Sequence, residues 1–116
     1  MLFVCYPKCS TCQKARQWLD AHGVTYAVRD IKEDKPSAEE LHQWQQRSGL
    51  PLRRFFNTSG LLYKSLALKD KLPGMSEEDQ LALLASDGML VKRPLLIGET
   101  CVLVGFREAE YEQLLS

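Results

Sequence analysis

The chain has 116 residues, 45% of them hydrophobic and 26% charged, which suits one compact soluble domain and is too short for two. Lys plus Arg and Asp plus Glu each total 15, so no global field draws the chain to nucleic acid or to an anionic membrane. Residues 1–6 are apolar but are cut off by Pro7-Lys8, far short of a signal-peptide core or a membrane span. A cytoplasmic location is expected, and there four cysteines point to catalysis, metal binding or burial rather than to structural disulfides.

Residues 2–6 form a short apolar run with Phe3 and Val4, ended by Pro7, and this pattern predicts a buried strand. A helix is expected from Ser10, with Ala15, Trp18, Leu19 and His22 along one face and Gly23 as its stop. Residues 24–31 are rich in β-branched and aromatic side chains and read as a second strand. After a turn at Asp34-Lys35-Pro36, Ser37 with Glu40 makes a capping-box pattern ahead of Leu41 and Trp44, predicting a second helix. Gly49 and Pro51 break it; residues 52–56 suit a short helix and Asn57-Thr58-Ser59-Gly60 a turn. Residues 61–68 are expected to be helical up to a stop at Pro73-Gly74. A further helix begins at Ser76-Glu77-Glu78-Asp79, buries Leu81, Leu84 and Ala85, and closes at Gly88. Residues 94–97 and 101–104 flank Gly98-Glu99-Thr100 with hairpin spacing. Residues 107–115 close the chain as a helix with Tyr111, Leu114 and Leu115 inward.

The order is therefore β-α-β, a helical stretch, then β-β-α. Two such halves sharing one mixed sheet make an α/β sandwich in a single domain over 1–116, with residues 37–87 as a helical insert between the halves.

Cys9-Ser10-Thr11-Cys12 falls where the first strand hands over to the first helix. A residue at a helix start faces unpaired backbone N–H groups and the positive end of the dipole. Both favour a thiolate, so Cys9 is expected to ionise below the ordinary thiol value of about 8.5, with Lys8 as a nearby positive charge. Cys12, one turn on, is placed to attack a mixed disulfide formed on Cys9. Cys9 is the natural nucleophile and Cys12 the resolving thiol. The alternative is a CxxC simply packed at a helix start. Zinc would need a second CxxC or a His pair, and His22 and His42 are isolated, so no metal is assigned. Cys5, Cys9 and Cys12 also share the CxxxCxxC spacing of iron–sulfur radical enzymes. Those enzymes need a much larger barrel, and Cys5 lies inside a predicted strand. Cys5 and Cys101, both expected within strands, read as small buried hydrophobes.

Tyr6-Pro7-Lys8-Cys9-Ser10-Thr11-Cys12-Gln13-Lys14-Ala15, Lys92-Arg93-Pro94 and Val104-Gly105-Phe106 together resemble the arsenate reductase / Spx family along nearly the whole chain. The resemblance implies a thioredoxin-like fold, a cis peptide bond before Pro94, and an Arg93-Pro94 turn beside the cysteines. Arsenate reductases of this family use one cysteine at the helix start, arginines that cradle the oxyanion, and glutathione with glutaredoxin as reductant. Cys9 matches that nucleophile and Arg93 the arginine before the proline. The other two arginine positions fall at Asn57 and Gly105, with Arg53, Arg54 and Arg107 close in sequence but off the motif. Spx-type proteins are redox-sensing regulators that bind the C-terminal domain of the RNA polymerase α subunit, with the CxxC as a disulfide switch. The run from Cys9 to Leu19 and the Gly105-Phe106 ending are closer to them, although the chain stops soon after its last helix, without their further tail.

Two expectations follow. One is a thiol-dependent reductase in which Cys9 attacks, Cys12 resolves and Arg93 holds an anion or steadies the thiolate, with glutathione, glutaredoxin or thioredoxin as reducing partner and no bound cofactor. The other is a redox-switched adaptor for RNA polymerase, with no direct nucleic-acid contact. Arg93 could instead pair with an acid of the insert or sit in solvent, and Arg53-Arg54 could be a solvated pair.

Overall fold

The computed structural model describes residues 1–115, without the side chain of Leu115, so the inward placement expected for that residue lies outside the described residues. Four strands, Leu2–Cys5 (β1), Ala27–Asp30 (β2), Leu95–Ile97 (β3) and Val102–Val104 (β4), form one mixed sheet in the order β2-β1-β3-β4. β2 runs parallel to β1, and β3 is antiparallel to both β1 and β4. A parallel pair needs a crossover, which helix α1 (Ser10–Ala21) supplies.

Side chains alternate across a strand, and both faces of this sheet are covered. Phe3, Cys5 and Leu96 point to one side, against Cys12, Ala15, Trp18 and Leu19 of α1. Tyr111 of the C-terminal helix, Glu108–Glu112, joins that layer. Val4, Leu95, Ile97, Val102 and Val104 point to the other side. There they meet the segments between β2 and β3: α2 (Ala38–Ser48), α3 (Leu61–Ser65), α4 (Leu68–Lys71) and α5 (Glu77–Ser86); the C-terminal helix is α6. The expected α/β architecture, with helices inserted between the halves, is the observed one.

Several local expectations are corrected. Strand β2 begins at Ala27, not at residue 24, because the Val24 N–H donates back to the Leu19 carbonyl (3.0 Å) and pairing starts where the Ala27 N–H reaches Met1 O (2.9 Å). His22 does not face inward; it is exposed, with its ring stacked on Trp18 at 3.9 Å. The predicted helix over 61–68 breaks at Ala67, which has φ +52°. The break turns the chain so that Leu68 and Leu72 enter the core while Leu61 and Leu66 stay exposed. Helix α5 ends at the extended Asp87, and Gly88 instead opens a single 3-10 turn, Gly88–Leu90. Cys101 is half-buried in the turn before β4 rather than inside a strand, and the strand expected from residue 94 starts at Leu95.

The capping box of α2 forms: the Glu40 N–H donates to Ser37 Oγ (3.1 Å) and the Ser37 N–H to Glu40 Oε1 (3.0 Å). The Glu40 carboxylate also takes both ends of the Arg29 guanidinium, at 2.6 and 2.9 Å, which ties β2 to α2 beside Trp44. That Arg29 hydrogen bond holds the Glu40 carboxyl down at about 2, against a partial burial that works the other way. A depressed folded value means that the pair stabilises above the ordinary carboxylate range and fades as pH falls toward 2. Because the Glu40 side chain is 38% exposed, solvent screens the pair, and Glu40→Gln is expected to cost about 1 kcal/mol at neutral pH. In urea unfolding the gap between Glu40→Gln and the parent chain should shrink at pH 3.

Candidate functional site

Beyond β1, the Cys9 N–H donates to the Tyr6 carbonyl (3.0 Å) and Gln13 Nε2 to the Pro7 carbonyl (3.0 Å), fixing the loop between strand and helix. Cys9 is the N-cap residue of α1, with extended φ −82° and ψ 122°, so its sulfur lies over the first turn. The N–H groups of Cys12 and Thr11 turn toward the sulfur without closing a full cap hydrogen bond. Burial opposes ionisation of Cys9, but the Cys12 N–H, the Cys12 thiol, the Arg93 guanidinium and the Thr11 N–H outweigh it and hold this thiol below its ordinary range. The cation acting on Cys9 is thus Arg93; Lys8, expected in that role, is exposed to solvent.

Cys12 differs in kind. It is 3% exposed, and burial pushes its thiol up to about 12, although Sγ accepts the Tyr6 N–H at 3.5 Å. Both cysteines are free thiols, with Cys12 donating toward Cys9. Cys5, buried at the end of β1, also has its thiol raised by burial. The pair therefore combines an accessible, easily ionised sulfur with a shielded, protonated one.

The Arg93–Pro94 peptide bond is cis. The Arg93 guanidinium lies 5.5 Å from the centre of the Tyr6 ring, and Nη1 reaches the Met89 carbonyl at 3.5 Å. Arg93 Nε is buried and, among the described residues, has no hydrogen-bond partner. Among the described residues Arg93 makes no ion pair, so the expected alternative of an acidic partner in the insert is not what holds it.

Cys9 and Arg93 open into a cleft of about 790 Å³. Its far wall is brought in by a single antiparallel bridge, Phe56 opposite Val91, where the Asn57 N–H donates to Leu90 O (2.8 Å) and the Lys92 N–H to Phe55 O (2.7 Å). On the near side the Gly105 N–H donates to the Pro94 carbonyl (2.8 Å). Asn57 and Gly105, the two positions that resemblance assigned to arginines, both line the cleft. At Gly105 the backbone has φ +79°, a region that suits glycine, and a Cβ there would lie 3.4 Å from the Lys92 side chain. The cleft is still cationic, because Arg54, Lys92 and Arg107 join Arg93 on its wall, and no acidic side chain among the described residues lines it. Arg53 is exposed and does not reach it.

Lys92 and Arg107 had no role assigned from sequence. Their convergence depends on the 56–91 bridge and the turn at Gly105, contacts that no local pattern announces. Among the described residues there is no group of three or more His, Cys, Asp or Glu side chains placed to hold a metal ion, and no helix is long and apolar enough to cross a membrane.

The sequence model of the ArsC family matches residues 5–114. An ArsC family related protein of Bacteroides fragilis has a solved structure that superposes with a TM-score of 0.95 at 56% identity, covering 97% of this chain and 95% of that one. A possible arsenate reductase of Streptococcus mutans gives a TM-score of 0.90 at 48% identity, over 99% and 97% of the two chains. The global transcriptional regulator Spx of Enterococcus faecalis is 30% identical over 110 residues, 94% of this chain and 81% of that protein. The thioredoxin-like fold shared by these structures is the one described above.

Proposed function

Since the chain belongs to the ArsC family, we propose that it is a thiol–disulfide reductase in which Cys9 is the nucleophile, Cys12 the resolving thiol and Arg93 the anchor for an anionic group. The observation that carries this reading is the pairing of an activated Cys9 with a buried, protonated Cys12 at the mouth of a cationic cleft. The Cys9 thiolate attacks a disulfide R–S–S–R′, forming Cys9–S–S–R and releasing R′S⁻. Cys12, deprotonated, then attacks Cys9 Sγ, closing the Cys9–Cys12 disulfide and releasing RS⁻. Two electrons have passed from the dithiol to the substrate, and glutathione, glutaredoxin or thioredoxin returns them.

Arsenate reduction fits this site less well. A tetrahedral oxyanion calls for several fork-shaped donors at close quarters, and Asn57 and Gly105 stand where two of them would be. The lining of Arg54, Lys92 and Arg107 with Leu61, Leu62 and Phe106 suits a larger anionic substrate with apolar parts.

The test is a redox titration in glutathione buffers, read by thiol alkylation and peptide mass spectrometry. Cys9 and Cys12 should pair reversibly at a potential of roughly −180 to −300 mV. Failure to pair at any potential would remove the dithiol mechanism.

The similarity to Spx supports a second reading, in which the same disulfide switches the affinity for the C-terminal domain of the RNA polymerase α subunit. Binding of that domain, measured on the reduced and on the oxidised chain, separates the two: equal affinity, or none, leaves the reductase.

A further inference from the structure

Resolution places a demand on Cys12 that its surroundings meet poorly. The sulfur must become a nucleophile while buried, and once Cys9 carries a substrate its negative charge is gone and no longer accepts the Cys12 proton. Cys5 from β1 and Cys9 at the start of its own helix act on Cys12, and Tyr111 from α6 shares its buried cluster, with the Glu110 carboxylate acting on Tyr111 from the same helix. Among the described residues no charged side chain is buried in this layer. The hydrogen bond given to the Cys12 sulfur by the backbone is the long one from the Tyr6 N–H, at 3.5 Å.

Tyr111 is the unexplained feature of that layer. It is 0% exposed, with its ring held edge-on between Trp18 (5.5 Å, 90°) and Phe106 (4.8 Å, 88°). Its hydroxyl is buried and, among the described residues, has no hydrogen-bond partner. An orphaned buried hydroxyl lowers stability, and phenylalanine would fill the same space without that cost. Burial pushes the pKa of this hydroxyl well above its ordinary range, so it keeps its proton, and the charge of Cys12 is the next influence in the same direction. An unpartnered donor and a sulfur short of donors thus share one dry cluster.

We propose that Tyr111 is a positioning residue for resolution, its hydroxyl donating a hydrogen bond to Cys12 Sγ as that sulfur turns anionic. The inference rests on the dithiol reading above. In the step it assists, Cys12–SH and Cys9–S–S–R become Cys9–S–S–Cys12 and RSH. One S–S bond forms as another breaks, the Cys12 proton leaves with the product thiol, and Tyr111 keeps its own.

The test follows the reduced chain after mixing with glutathione disulfide, by acid quench and mass spectrometry from pH 6 to 9. Tyr111→Phe should form the Cys9–glutathione adduct at the parent rate. Its collapse to the internal disulfide should slow roughly tenfold, with the pH profile of that step displaced upward, while the unfolding midpoint stays the same or rises. Collapse at the parent rate with an unmoved profile overturns the proposal. Should Tyr111→Phe fold poorly, 3-fluorotyrosine at the same position, a stronger donor of nearly equal size, must speed the collapse, and an unchanged rate overturns it equally. A parent chain that forms the adduct but never closes the disulfide would remove the dithiol reading, and this inference with it.

Discussion

Cys9→Ser is expected to lower the rate of disulfide exchange by roughly three orders of magnitude or more, because a hydroxyl at an N-cap is not ionised at neutral pH and the attack needs an anion. Cys12→Ser should behave differently. The first attack is unimpaired, so the substrate half stays attached to Cys9 as a mixed disulfide that only an external thiol removes. The contrast follows from the two environments: Cys9 is half-buried and held low, whereas Cys12 is 3% exposed and pushed up to about 12. Iodoacetamide at pH 7 should accordingly label Cys9 first and leave Cys12 untouched until the chain is unfolded. Intact mass spectrometry of each variant after exposure to glutathione disulfide decides the matter. Cys12→Ser turning over without accumulating an adduct would show that a second thiol is not needed.

The largest stability loss from one added methyl group is expected at Gly88. A Cβ at that position would lie 1.8 Å from the Ile31 carbonyl oxygen and 2.7 Å from its carbon. Both atoms are backbone, so no rotamer change relieves the clash and one of the two segments must move. Ile31 is fully buried, and its N–H donates to the Cys5 carbonyl at 2.9 Å, so the displacement reaches the end of β1 that leads into the cysteine loop. Overpacking of this kind costs about 1–3 kcal/mol, and a backbone clash belongs at the upper end or beyond. For a chain of this size that is a fall of about 5–15 °C in melting temperature. Gly74→Ala is the matched control: a Cβ there meets nothing within 4 Å, so its melting temperature should stay within a degree or two of the parent. Equal behaviour of the two variants would mean that the Gly88–Ile31 approach is not as close as described.

Gly88 also marks where sequence reading reached its limit. A glycine after a helical run is a sensible terminator, yet α5 stops one residue earlier and the glycine serves a contact with a strand end far away in the chain. Ala67 is a similar case: alanine in the left-handed region has no local signature, and the break is set by which leucines the core admits. What was legible was local. The Ser37–Glu40 capping box, the apolar run of β1 ahead of Pro7, and Cys9 at a helix start each depend on neighbours a few residues apart, and each forms, with β1 ending at Cys5 rather than at the expected Tyr6. Half of the cleft was legible in the same way, as motif positions carried by resemblance. The cationic remainder was not, since Arg54, Lys92 and Arg107 are separated widely in the chain and meet only through the 56–91 bridge and the Gly105 turn. The Tyr111 hydroxyl is invisible for a different reason: an aromatic at an inward helical position is ordinary, and only its missing partner sets it apart.

The two walls of the cleft have separate anchors. The sulfur side hangs from β1 and α1; the opposing side hangs from one bridge at Phe56 and Val91. Selection can therefore act on either without disturbing the other. A descendant that exchanges Asn57 or its neighbours changes the opposing wall while inheriting Cys9 in unaltered surroundings at the start of α1. Diversification of what docks around a constant helix start is the course such an arrangement makes easy, and it gives a reason why proteins similar to this one carry names as different as possible arsenate reductase and global transcriptional regulator.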